Sequence, residues 1–382
     1  MPRRAVILAA LAVAVAGVLA SAPFLRAARM LVVLTGRPAR AAEWLTPRGG
    51  VTTEDVDVPT RAGTIRARIY RPPGVPARHL LVVPGVHAGG LDEPRMSALL
   101  TRLAMTGSLV VGLPVPDLRE YRITPAATDD IEDAAQWMSA TPALAPAGRI
   151  GLVGVSFGGG LAVAAAGRPS LAGRLSAVVS IGGYGDLPRV LRFLCTGRLP
   201  DGTARAPHDF GLAVLAYGGA RHLVPADQVE AFTRALRTFL DASSAQTTDE
   251  AEAARLLQAS REMTGALPSP ARDLMQLVLA RDVATLGARL LPIVPALGGD
   301  PALSPDRSPA PAAPVFLLHG TDDPVIPEDE TVELARDLTA RGATVHWLLT
   351  PALHHADIES GLGAADAWAL VRFWSGVVAA VR

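Results

Sequence analysis

The 382-residue chain contains no lysine, so all 36 of its Lys+Arg positions are arginine. The 36 Asp+Glu match them, for a formal net charge of +0 at pH 7. A chain without a basic excess has no electrostatic footprint for nucleic acid, and no such partner is expected. There is one cysteine, Cys195. That excludes an intramolecular disulfide and a cysteine-rich metal site. Cys195 sits in Phe193-Leu194-Cys195-Thr196, without the sharp turn of a nucleophile, and reads as a small apolar filler. No HExxH pattern and no His/Asp/Glu cluster is present, and His79, His208, His222 and His346 have no ligand spacing. No metal and no cofactor is therefore expected. There is also no internal repeat.

What is present suits a large buried core, since 49% of the residues are hydrophobic. The length fits one large α/β domain with an insertion, or two domains. At the amino terminus, Arg3 and Arg4 precede an uncharged run from Ala5 to Leu25. About 20 apolar residues suffice to span a bilayer core of roughly 30 Å. Residues 5–25 read as a retained membrane anchor; a cleaved export signal or an interfacial helix are the alternatives. Arginines on both sides of the run leave its orientation open. The expected location is a membrane or the exported space of a bacterial cell envelope. No protein partner is implied.

Residues 1–48 are read as this segment and a linker. Val51–Pro59 and Thr64–Arg71 then read as an antiparallel hairpin, the second strand alternating Ile65, Ala67, Ile69 against Arg66, Arg68. Next come short apolar strands without alternation at Leu80–Val83, Ser108–Leu113, Arg149–Val155 and Ala177–Ile181. Helical patterns separate them at Met96–Met105, Thr128–Ser139 and Phe157–Gly167. Non-alternating strands between helices predict a mostly parallel sheet covered on both faces. From Asp186 to about Gly299 the pattern is helical, with Gln228–Leu240, Asp249–Met263 and Ala271–Leu279 the clearest helices. A Pro-rich return, Pro301–Pro314, follows. Strands at Pro314–Leu318 and Thr344–Leu349 and helices at Glu328–Ala340 and Ala364–Val381 close the chain. The expected division is a core of 49–186 and 311–382, with 187–310 a helical cap.

One motif carries chemistry. Gly154-Val155-Ser156-Phe157-Gly158 lies between an apolar strand and a helix. A serine hydroxyl needs a base to become a nucleophile, and it must project clear of its own backbone. A strand–turn–helix elbow provides the projection, and the helix start aims its positive end at the site. The competing reading is a Gly-rich turn whose serine caps the helix. An acid and a base should follow in the order Ser, Asp, His. After one late strand stands His319-Gly320-Thr321-Asp322-Asp323-Pro324-Val325-Ile326-Pro327; after the last, Leu353-His354-His355-Ala356-Asp357. Both lie at carboxyl ends of strands, where open α/β sheets build their sites.

These residues resemble the α/β-hydrolase superfamily, in its dienelactone-hydrolase, esterase and serine-peptidase-like region, over roughly residues 50–382 apart from the insertion. The resemblance implies an α/β fold with a helical cap and a serine hydrolase acting on an acyl substrate. Members often read HGxxDxxVP at the acid turn, which implies Asp323 as the acid, with Ile326-Pro327 where Val-Pro is usual. The small residue and acid that follow favour His355 as the base over His354. Asp186, ending Gly182-Gly183-Tyr184-Gly185-Asp186, is the alternative acid; its plainer role is to cap the next helix. The oxyanion would be held by the backbone amides of Phe157 and, from the turn Pro84–Gly90, Val86. Pro84 stands where members often have His. His87 is read mainly as a structural loop residue, and His319 as a support of the acid turn. Ester cleavage through an acyl-enzyme is the leading expectation. A peptidase of the same fold and a non-catalytic, membrane-tethered binding protein are the alternatives.

Overall fold

A computed structural model describes residues 22–34, 49–246, 248–351, 353–354, 357–358 and 363–381. Residues 22–34 form helix α1. The hairpin is present as β1 (Thr52–Thr60) and β2 (Gly63–Arg71). The alternating strands and helices follow as β3 (Arg78–Val83), α2 (Pro94–Met105), β4 (Ser108–Gly112), α3 (Pro125–Ala140), β5 (Ile150–Val155), α4 (Phe157–Ala166) and β6 (Leu175–Ile181). The α2 and α3 helices begin earlier than the apolar pattern suggests. Each starts on a proline, and a proline at the first helical position loses no hydrogen bond.

Between β6 and β7 (Val315–Gly320) the chain is helical: α5 (Leu187–Thr196), α6 (Asp209–Gly218), α7 (Val229–Ala245), α8 (Glu250–Ala266), α9 (Ala271–Leu279) and α10 (Val283–Leu290). The Pro-rich return makes short 3₁₀ turns at Pro301–Leu303 and Pro305–Arg307. Then come α11 (Asp329–Ala340), β8 (Val345–Thr350), the short pair β9 (Leu353–His354) and β10 (Asp357–Ile358), and α12 (Ala364–Ala380).

The eight-stranded sheet has the order β1-β2-β4-β3-β5-β6-β7-β8. The hairpin is antiparallel, β2 joins β4 antiparallel, and every pair from β4 to β8 is parallel. Alternate residues of the parallel strands feed opposite cores. Leu81 and Val83 pack with α3, α4 and the inserted helices; Leu80, Val82 and Val153 pack with α1, α2 and α12. Both faces are covered, which is why these strands read as unbroken apolar runs. The carboxyl ends of the parallel strands share one edge, and the insertion leaves from that edge after β6.

Candidate active site

Ser156 closes β5 and opens α4 with φ 55° and ψ −131°. A non-glycine residue at positive φ holds roughly 1–3 kcal/mol of strain, which persists only where its surroundings enforce it. Enforcement here is by contact. A Cβ at Gly154 would lie 2.2 Å from the Gly158 carbonyl oxygen, and one at Gly158 would lie 2.3 Å from that of Pro84. The Ser156 amide donates to the Ile181 carbonyl at 2.8 Å, and its carbonyl accepts from the Gly159 amide at 2.8 Å. The Ser156 side chain makes no capping bond to α4. The helix-capping reading thus loses its basis. Ser156 is half-buried while its neighbours from Ile150 to Val155 and from Phe157 to Ala166 are buried.

The β3 turn closes over this serine. A Cβ at Gly85 would sit 2.9 Å from the Ser156 Cβ and 3.3 Å from its Oγ. Within the turn, the His87 amide donates to the Leu118 carbonyl and the Gly90 amide to the His87 carbonyl. The Gly89 amide donates to His87 Nδ1 at 3.0 Å. Among the described residues, the Val86 amide has no acceptor. Burial lowers the His87 pKa, so its ring is neutral and serves the loop as an acceptor. Phe157 is buried with its ring against Tyr184, centroids 5.8 Å apart.

The acid turn resolves its two aspartates. Asp322 has φ 63° and an 83% exposed side chain that faces Arg205 at 3.7 Å. Asp323 is 2% exposed. Its Oδ1 accepts from the Val325 amide at 2.8 Å and the Ile326 amide at 3.1 Å. Its Oδ2 lies 3.6 Å from His319 Nε2 and 3.9 Å from where a Gly182 Cβ would be. His319, fully buried, is spent elsewhere: Nε2 meets the Ile326 carbonyl at 2.9 Å and Nδ1 the Thr331 hydroxyl at 2.7 Å. A carbonyl only accepts, so Nε2 carries a hydrogen toward Ile326. With both ring nitrogens engaged, His319 braces the acid turn.

His355 lies outside the described residues. The backbone of His354 pairs with Asp357 in the β9–β10 ladder. This segment runs against the end of β7, where a Cβ at Gly320 would meet the Leu353 carbonyl oxygen at 2.1 Å. The histidine-bearing stretch thus passes within contact of the strand that carries the acid turn.

Asp186, the alternative acid, has both oxygens engaged. Oδ1 accepts from the Arg189 amide at 2.8 Å, capping α5, and Oδ2 accepts from Arg307 at 3.0 and 2.5 Å.

The insertion is strapped to the acid turn by contacts with no signature in the sequence. The His208 amide donates to the Pro324 carbonyl at 2.8 Å, and Arg205 forks onto Glu328 at 2.5 and 2.9 Å. On the other side Tyr121, buried with φ 56°, bonds Asp241 and Ser244 of α7 at 3.0 Å each, with Phe210 and Tyr217 edge-on to its ring. Of the inserted apolar residues, Leu212, Phe232 and Phe239 are buried core. A cavity of about 610 Å³ lies between α5, Arg198–Pro200, Leu291–Pro295 and Pro327–Glu330, and neither Ser156 nor Asp323 lines it. Cys195 is buried, and burial pushes its thiol up to about 12, which leaves it inert. Among the described residues no helix is long and apolar enough to cross a membrane. Most of the run 5–25 lies outside them.

The model of a family described by the alpha/beta hydrolase fold matches residues 113–356. A bacterial heroin esterase shares the fold at 14% identity and a TM-score of 0.50, over 87% of this chain and 85% of that one. An esterase of the hyperthermophilic archaeon Pyrobaculum calidifontis is similar at 19% identity and a TM-score of 0.46, over 94% and 92%. So is a thermophilic carboxylesterase cloned from a metagenomic library, at 19% identity and a TM-score of 0.48, over 93% and 94%. No curated protein matches the sequence.

Proposed function

We propose that this chain, which belongs to the α/β-hydrolase fold family, cleaves an ester or related acyl bond with Ser156 as nucleophile, Asp323 as acid and His355 as base. The observation that carries the reading is the elbow at Ser156. It is a strained backbone, φ 55°, enforced from both sides by Gly154 and Gly158, with a hydroxyl that the helix does not consume.

In this mechanism His355 takes the Ser156 proton as Oγ attacks the substrate carbonyl. Asp323, with one oxygen held by two backbone amides, orients the imidazole and stabilises the imidazolium. The oxyanion is met by the amides of Phe157 and Val86; the tight seat of neighbouring Gly85 on Ser156 supports the second. The leaving alcohol takes the proton back from His355, and water repeats the sequence to free the acid. Asp323 is favoured over Asp186, whose oxygens already serve a helix cap and Arg307. His354 is the alternative base. The uncharged run 5–25 would hold the enzyme at a membrane or direct its export.

Hydrolysis of short p-nitrophenyl esters tests the assignment. Ser156→Ala should lower kcat by about 10⁴-fold or more with the fold intact by circular dichroism. Equal turnover by wild type and Ser156→Ala would rule the assignment out.

A further inference from the structure

A second surface lies where helix α1 meets α12. Helix α1 docks on the sheet through Ala27, Met30 and Leu34, which join Leu370, Phe373 and Trp374 of α12 in one core. The 27-30-34 spacing is one helical face. Arg102 fastens the helix end by donating to the Leu34 carbonyl at 3.0 Å. What α1 leaves uncovered is unusual. Phe24 stacks on Trp368 with centroids 5.7 Å apart and planes within 8°, yet Trp368 remains 58% exposed and Leu25 66% exposed. Large apolar side chains grouped in water mark a contact surface.

Arginines lie nearby. Burial lowers the Arg78 pKa, and the charges of Arg26 and Arg29 of α1 lower it further. Arg29 Nε is buried without a hydrogen-bond partner among the described residues. Arg78 donates to the Thr106 carbonyl at 2.5 Å and to the Ser108 hydroxyl at 3.1 Å, which leaves Arg26 and Arg29 as the guanidiniums to meet an external anion. Exposed Trp beside arginine is the composition of a bilayer interface. The uncharged run from Ala5 ends at Leu25, on this same patch.

We propose that Leu25, Phe24 and Trp368, with Arg26 and Arg29, form the surface on which the enzyme body rests against an anionic bilayer. The proposal builds on the membrane role of residues 5–25 put forward above. The aromatic and aliphatic side chains enter the headgroup boundary, and the guanidiniums meet lipid phosphates.

The test uses the full chain in vesicles of phosphatidylcholine with and without phosphatidylglycerol, the lipids brominated near the top of the acyl chains. Tryptophan emission of wild type should be quenched more strongly with phosphatidylglycerol present. Trp368→Phe should lose most of that quenching. The paired substitution Arg26→Gln/Arg29→Gln should reduce it towards the level in phosphatidylcholine alone. Both variants should retain ester hydrolysis, which reports an intact fold. Equal quenching of wild type and Trp368→Phe in vesicles that carry the chain overturns the surface while leaving the tether standing. A chain that does not float with vesicles removes tether and surface together. Self-association lost in Trp368→Phe, without lipid quenching, overturns the proposal in favour of a second copy of the chain.

Discussion

At the residue scale, two aspartates at the same sheet edge are used differently. Asp323 is buried, with one oxygen pinned by the amides of Val325 and Ile326. Asp186 is tied to the start of α5 and to Arg307. The two carboxylates should therefore fail in different ways. Asp323→Asn is expected to lower kcat by about 10⁴-fold while leaving the melting temperature little changed. Asp186→Asn should do the reverse, losing about 1.5–3 kcal/mol for its charged hydrogen bonds while leaving the kcat of the folded fraction near wild type. Steady-state kinetics and denaturant melts on the two variants separate the roles; a kcat collapse in Asp186→Asn alone would exchange them. The proposed acid was half legible in the sequence. Resemblance to the HGxxDxxVP turn implied Asp323, and burial separates it from exposed Asp322.

At the element scale, the entry and exit of the insertion are clamped to one helix. Glu330 of α11, 1% exposed, accepts from the amides of Gly185 and Asp186 at 3.0 Å each and from Arg189 at 2.5 and 2.9 Å. The exit segment joins the same cluster through Arg307 on Asp186 and through Asp306, whose Oδ2 lies 3.8 Å from Arg189. Because α11 directly follows the acid turn, the cluster couples the seat of the insertion to the position of Asp323. Asp306 is its weak member: Oδ1 is buried without a partner among the described residues, and burial, with Asp186 nearby, raises its pKa to about 6. An unfolded aspartate titrates near 3.9. Between about pH 4 and pH 6 the folded chain therefore holds the extra proton, and stability falls as pH rises through that window. Asp306→Asn should stabilise the protein above pH 6 by on the order of 1 kcal/mol after allowance for solvent screening, and by nothing below pH 4. Thermal melts of both proteins from pH 4 to 8 check this, and a pH-independent difference would contradict it. None of this clamp was legible beforehand. Glu330 reads in sequence as one acid among several in Pro327–Glu333, and its partners lie more than 100 residues away.

At the scale of the whole molecule, the layered architecture was legible because buried parallel strands write a plain signal. Leu80–Val83, Ile150–Val155 and Val315–Leu318 carry apolar side chains to both faces at once. Strand order carries no such signal. Placing β4 between β2 and β3 depends on pairings such as Tyr70 with Val110, which no local pattern encodes. Within the insertion, α7, α8 and α9 stand out by apolar periodicity. The α6 and α10 helices do not: Asp209–Gly218 is apolar nearly all round, and Val283–Leu290 is only eight residues long.

The site has the same mixture. The elbow was legible as GxSxG between a strand and a helix, but the positive φ of Ser156 and the glycines that leave no room for a Cβ were not. Reaction with a fluorophosphonate probe, followed by peptide mass mapping, tests Ser156 as the nucleophile directly. One covalent adduct is expected, on Ser156, absent from Ser156→Ala and strongly slowed in His355→Ala. An unlabelled wild-type protein, or an adduct on any other residue, would contradict it.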